Sequence, residues 1–199
     1  MNLYLRLLLV LFGNLSKSRL HYSESVVRCF RVWPHDIDIL GHMNNGRYHQ
    51  IMDVARADWM LRTGVASAIR NNRWSPILGG SFVRFRQSLR MMQRYHVRTS
   101  LLCWDQRWFF LEHCFLDHRG ECVAKGISRA ALRKDGSWVH TDDVAFHVHP
   151  EASSPEMPGH VAEWMLLEDQ MFHFDRHAAP PSVEQVFAQE SALEQEVER

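Results

Sequence analysis

The stretch His35–His49, "HDIDILGHMNNGRYH", gathers two carboxylates, several histidines, a glycine and an Asn pair just ahead of a segment that reads as a buried helix. From Asn44 to Thr63, Tyr48, Ile51, Met52, Ala55 and Trp59 recur at helical offsets. Val54, Met60 and Leu61 widen the stripe, leaving polar positions mainly at Arg47, Gln50, Asp53 and Arg56. A helix apolar on most sides belongs in a core. Asn44 or Asn45 can cap its start, because a short amide side chain accepts a first-turn N–H. Gly64 suits its end, where the chain turns left-handed. The polar stretch is therefore a loop that ends on a helix N-terminus, and the question is whether it does chemistry or only caps.

Outward from this point, residues 24–33 ("ESVVRCFRVW") are β-branched and aromatic and read as a strand. Residues 67–80 ("SAIRNNRWSPILGG") read as a linker, after which the period changes to two: Val83, Phe85 and Leu89 alternate with Arg84, Arg86 and Ser88. "YHVRTSLLCW", "RWFFLEHCFLDH" and "ECVAKGISRAALRK" are three further strands. The connections Asp105–Arg107 and His118–Gly120 are short enough to force antiparallel neighbours, and Asp135-Gly136 ends the last strand. Strand, long helix, then four antiparallel strands is an α+β order in which one sheet face buries the helix. The expected organisation is an N-terminal leader (1–20), a sheet-and-helix domain (21–137) and a C-terminal extension (138–199). The extension holds a helix from near Pro158 and a Glu/Gln-rich tail that reads as a mobile terminal helix.

Lys+Arg and Asp+Glu balance at 23 each, which argues against a dedicated nucleic-acid binder. The balance hides a gradient: Ser81–Lys134 carries 11 Lys/Arg against four acids. Arg84, Arg86, Arg129 and Arg133 could meet an anion, though solvated strand faces are the simpler reading. The four cysteines lack Cys-x-x-Cys spacing and read as reduced core thiols of a cytoplasmic protein. The 13 histidines show no recurring ligand spacing, so no metal is expected. In the leader, the apolar run Leu7–Phe12 is far shorter than the ~20 residues that span a bilayer. It reads either as a helix docked on its own protein or as an interfacial anchor with Arg6 and Lys17 near headgroups.

"DIDILGHMNNGRY" resembles the Asp-x-Asp-x-x-Gly-His-x-Asn-Asn-x-x-Tyr motif of the hotdog-fold acyl-CoA thioesterases, in the 4-hydroxybenzoyl-CoA thioesterase group. "YHQIMDVARADWM" continues the match, with Tyr48, Asp53, Ala55 and Arg56 in familiar places, and the element order agrees over residues 24–134. The resemblance implies an antiparallel sheet wrapped around a long central helix. It also implies a homodimer or dimer of dimers with active sites between protomers, and an acyl-CoA substrate. It places the catalytic carboxylate on Asp38 and the N–H that polarises the thioester carbonyl on Asn45. His42 acts directly in some relatives, while Asn44, Tyr48 and Asp53 fall at substrate-side positions. "MMQRY" (91–95) stands where the group often has a Gly-Asp pair.

Elementary chemistry agrees with that assignment. Thioester hydrolysis needs an oxygen nucleophile or base, which a carboxylate supplies, and donors for a developing oxyanion, which a helix N-terminus supplies. No metal or organic cofactor is required. Asp36 reads as a cap, and Asp53 reads as the partner of Arg56 or as a second carboxylate candidate. The committed reading is an acyl-CoA thioesterase. Its rival is a catalytically silent module that binds acyl-CoA or a protein partner at a membrane surface through residues 1–20. A hydratase on the same fold is weaker, because the loop lacks an Asp-x-Asn-Pro-x-His pattern.

Overall fold

The computed structural model describes residues 3–14 and 18–177, with side chains to residue 171. Lys17 and the Glu/Gln-rich tail lie outside the described residues. The chain divides into two compact units at Met157/Pro158.

In the first unit, helix α1 (Leu3–Gly13) precedes strand β1 (Val26–Arg31), the loop, and the long helix α2 (Asn45–Thr63). Helix α3 (Val65–Asn72) and strands β2 (Ser75–Phe85), β3 (Arg94–Trp104), β4 (Phe109–Leu116) and β5 (Cys122–Lys134) follow. A short strand β6 (Ser137–Trp138) and helix α4 (Thr141–Val148) come last. The sheet is antiparallel, in the order β1-β3-β4-β5-β2, with β6 on β5. The chain crosses from β2, at one edge, to β3, beside the other.

Helix α2 runs across the inner face of this sheet. Tyr48, Ile51, Met52, Val54 and Ala55 join Phe30, Val32, Val97, Phe115 and Val123 in the main core, and each large side chain contributes roughly 1.5–3 kcal/mol on burial. Gly126 sets the spacing. A Cβ there would lie 2.7 Å from Met52 Sδ and 3.2 Å from the Phe82 carbonyl oxygen, so a side chain at 126 would push the Met52 thioether aside where α2 meets β5. The buried Asp58 on α2 is held by Arg28 of β1, with Nη2 donating to Oδ1 over 3.0 Å, and by the Asn14 side-chain amide at 2.6 Å. Gly64 ends α2 with φ 88°, as its position predicts.

Two sequence expectations are corrected. Residues 67–80 are not a linker but α3 and the first half of β2. Ala68 and Ile69 pack with Trp74, Leu132 and Val144, and the Gly79-Gly80 pair marks a bulge opposite β5 instead of a loop. The Trp108 ring stands 2.3 Å from where a Gly79 Cβ would be. Asp135-Gly136, both with positive φ, does end β5 as expected, and it turns the chain into β6, a strand the sequence did not show. Helix α4 was not foreseen. Cys29 is exposed, so the four thiols are not all core residues; Cys114 and Cys122 lie 2.7 Å apart, sulfur to sulfur. At the departure from the family pattern, Met92 takes the left-handed backbone (φ 64°) that glycine adopts at lower cost.

The second unit contains helix α5 (Gly159–His177), beginning next to Pro158 as expected.

Candidate active site

The loop between β1 and α2 is built in two halves. In the first, Pro34–Asp36 makes a single 3-10 turn, which the fixed φ of proline favours at its start. The Asp36 carboxylate is 1% exposed. It accepts the Trp33 N–H at 2.9 Å and pairs with the Arg6 guanidinium, while Arg47 Nε stands 3.6 Å from its other oxygen. Asp36 is therefore more than a cap. Arg6, which an interfacial helix would hold at headgroup level, is buried against it.

In the second half, Ile37 pairs with Met43, and Asp38–His42 forms the turn between them. The Asp38 N–H donates to the His42 carbonyl at 2.9 Å, and Gly41 takes φ 78°. The Asp38 carboxylate accepts the Leu40 N–H at 2.9 Å and the His42 N–H at 3.4 Å, both through Oδ1. The loop then rejoins the frame: the Met43 N–H donates to Leu89 O and the Asn44 N–H to Asp36 O, at 2.9 and 2.8 Å. Ile39 and Leu40 at the tip, and Met91 and Met92 in the β2–β3 turn, are exposed apolar side chains.

Asn44 is the N-cap. Its Oδ1 takes the Gly46 N–H at 2.9 Å, and its carbonyl takes the Arg47 N–H at 2.9 Å. Asn45 opens the helix, where an N–H has no intrahelical acceptor; among the described residues none takes it. Asp38, His42, Asn44 and Asn45 are thus drawn to one end of α2. Tyr48 is placed differently. It is 2% exposed and packs on Phe85 and Phe115; burial pushes its phenol up, opposed by a hydrogen bond from the Leu89 backbone.

Asp53 lies two turns further along α2, about 12 Å from Asn45 at 1.5 Å per residue. Its side chain is 54% exposed and pairs with Arg56. The two flank a cleft of about 350 Å³ lined by Trp59, Met60, Ile69, Ile77, Leu111 and Leu132 among others. The helix stripe contained Trp59 and Met60, but the cleft needs α3 and three strands and has no local signature. One inward position beyond Leu111 on β4, His113 is fully buried, its ring bridging the Thr99 and Ser128 hydroxyls at 3.0 Å each. Burial, with the Arg56 charge, pulls its pKa down to about 3, so the ring is neutral and fully partnered.

The chain belongs to the thioesterase-like superfamily: the sequence profile of that family matches residues 32–165. It is 33% identical to Protein THEM6 of Xenopus laevis over 140 residues, covering 69% of this chain and 66% of that protein. It is 30% identical to Protein THEM6 of Drosophila melanogaster, covering 65% and 66%. The chain thus spans just under two thirds of the length of these relatives. Among solved structures, it overlays on a 1,4-dihydroxy-2-naphthoyl-CoA thioesterase from Synechocystis with a TM-score of 0.55, at 11% identity, covering 66% of this chain and all of that one. The shared architecture is the hotdog fold, as the sequence predicted.

Proposed function

We propose that the protein is an acyl-CoA thioesterase in which Asp38 is the nucleophile or general base and the Asn45 N–H polarises the thioester carbonyl. The observation that carries this reading is the loop geometry. A partly buried carboxylate has one oxygen, Oδ1, occupied by local N–H groups, in a turn that leads directly into a helix start whose first N–H lacks a described acceptor. Asp38 either attacks the carbonyl carbon, giving an anhydride and the coenzyme A thiolate, or takes a proton from the water that attacks. His42 serves the turn through its backbone, with its ring at the substrate side. Asn44 orients the helix start. Tyr48, buried behind them, holds the helix against the sheet, and Asp53 meets substrate at the cleft mouth.

The carboxylate and the apolar cleft lie at different points along α2, which supports a homodimer. Strand β2 ends the sheet with Leu78, Phe82 and Phe85 exposed along it. A two-fold axis through this edge would set the two central helices antiparallel. The Asp38 loop of one protomer would then face the Asp53–Arg56 mouth of the other's cleft, which would take the acyl chain. A thiol-release assay across acyl-CoA chain lengths, with aryl-CoA included, tests the activity. Turnover of at least one thioester is expected; acyl-CoA binding without release would select the silent module instead.

A second reading concerns the membrane. Among the described residues no helix is long and apolar enough to cross one. However, α1 exposes Tyr4, Leu8, Leu9 and Phe12, and beside it Arg31 and Arg94 sit directly opposite each other across the β1–β3 ladder. Two like charges so placed favour an anion between them. We infer peripheral contact of α1 with an anionic membrane surface, and sedimentation with anionic but not zwitterionic vesicles is the expected result.

A further inference from the structure

Arg6 is the only charged residue in "LYLRLLLVLFG", and it faces inward. A buried guanidinium is costly unless it is paired, so its position calls for a partner of matching value. That partner is Asp36, and one Arg6 Nη2 also lies 3.4 Å from the Arg31 carbonyl at the end of β1. Through Asp36 the contact spreads. The carboxylate closes the 3-10 turn by accepting the Trp33 N–H, and the Asp36 carbonyl accepts the N–H of the α2 cap residue, Asn44. Arg47, in the first turn of α2, stands by the same carboxylate and donates to the His35 carbonyl at 2.9 Å. One buried carboxylate thus joins α1, the end of β1 and the start of α2.

Asp38 is two residues away. Its own hydrogen bonds stay within the turn 38–42, so its placement is inherited from the flanking residues that Asp36 and the Met43–Leu89 bond hold. We propose that Arg6 is a positioning residue for Asp38: the N-terminal helix, through the Arg6–Asp36 pair, sets where the loop carboxylate stands relative to the start of α2. The inference rests on the assignment of Asp38 above, but the contact itself does not. Without Arg6, the buried Asp36 carboxylate would keep the Trp33 N–H but no ionic partner closer than Arg47 and His35, at 3.5–3.6 Å, and would relax toward them or toward water. The turn it closes would shift with it. A misplacement of about 1 Å at a catalytic group can cost on the order of 100-fold in rate.

The test compares Arg6→Gln, which removes the charge, with Val10→Ala, which loosens the packing of α1 without touching any charge; Val10 is buried on the same helix. Arg6→Gln is expected to lower kcat by about 10- to 100-fold with KM within roughly twofold, and Arg6→Lys to restore most of the loss. The Leu40 and His42 amides should exchange with deuterium faster in Arg6→Gln and at the wild-type rate in Val10→Ala. Wild-type kcat and exchange in Arg6→Gln would overturn the proposal. So would an equal loss of kcat in Val10→Ala at the same melting shift, since docking of the helix alone would then explain both. Native-state exchange of the wild-type protein requires no variant to fold: the Asp36 and Leu40 amides should open together with those of α1. Loop amides that stay protected while α1 exchanges would refute the coupling. If the wild-type protein hydrolyses no thioester, the exchange results still decide this contact, and only the assignment of Asp38 is lost.

Discussion

The two halves of the 33–44 loop carry the same side chain two residues apart and treat it in opposite ways. Asp36 is sealed between a helix, a strand end and a second helix, whereas Asp38 keeps one oxygen for its own turn and stands among exposed apolar residues. A carboxylate that binds three elements cannot change partners without moving them. A carboxylate bound only to its own loop can turn to substrate at small cost. Residue type cannot distinguish the two; the number of elements that depend on each does.

The largest expected effect falls on the open half. Asp38→Asn keeps the shape but removes the nucleophile or base, and turnover should fall at least about 100-fold with the melting temperature nearly unchanged. A folded variant with near wild-type thiol release would break the comparison outright. On the closed half the order reverses. Asp36→Asn strands the buried Arg6 charge and should cost roughly 3–5 kcal/mol in chemical denaturation, larger than its direct effect on chemistry. A loss below about 1 kcal/mol would mean that the pair does not hold the loop.

His113 sharpens the picture from the core. Its folded pKa lies below the ordinary 6.5, so the unfolded chain takes up the proton first. The stability it contributes is complete above pH 6.5 and is lost as the pH falls toward about 3. Melting temperature against pH should fall through that window, and His113→Gln, which cannot titrate, should flatten the curve. An unchanged acid limb would place the loss on other groups. The smallest effect belongs to Asp53→Asn: its half-exposed pair with Arg56 is worth about 0–1 kcal/mol. Should this variant be the inactive one, the working carboxylate sits on α2, and the 35–49 loop is only its cap.

Local chemistry accounts for what could be read in the chain. The stripe from Tyr48 to Trp59 marked α2, Gly64 marked its end, and the polarity of residues 35–45 marked the loop, because propensity, period and capping act between residues near in sequence. The 67–80 segment misled for the same reason. Polar residues and a Gly pair resemble a linker until pairing with β5 turns Ser75–Leu78 into strand, and until Trp108 fills the space over Gly79. The sequence by itself determined the hotdog core, the helix start and the short list of carboxylates. Only the tertiary structure set those carboxylates in different surroundings: it buried Asp36 under an arginine 30 residues upstream, left Asp38 partly exposed, and built the apolar cleft from α2, α3 and three strands. Burial and ion pairing depend on what the folded chain brings together, and for Asp36 that partner stands in a helix whose apolar run shows no local reason for an inward arginine.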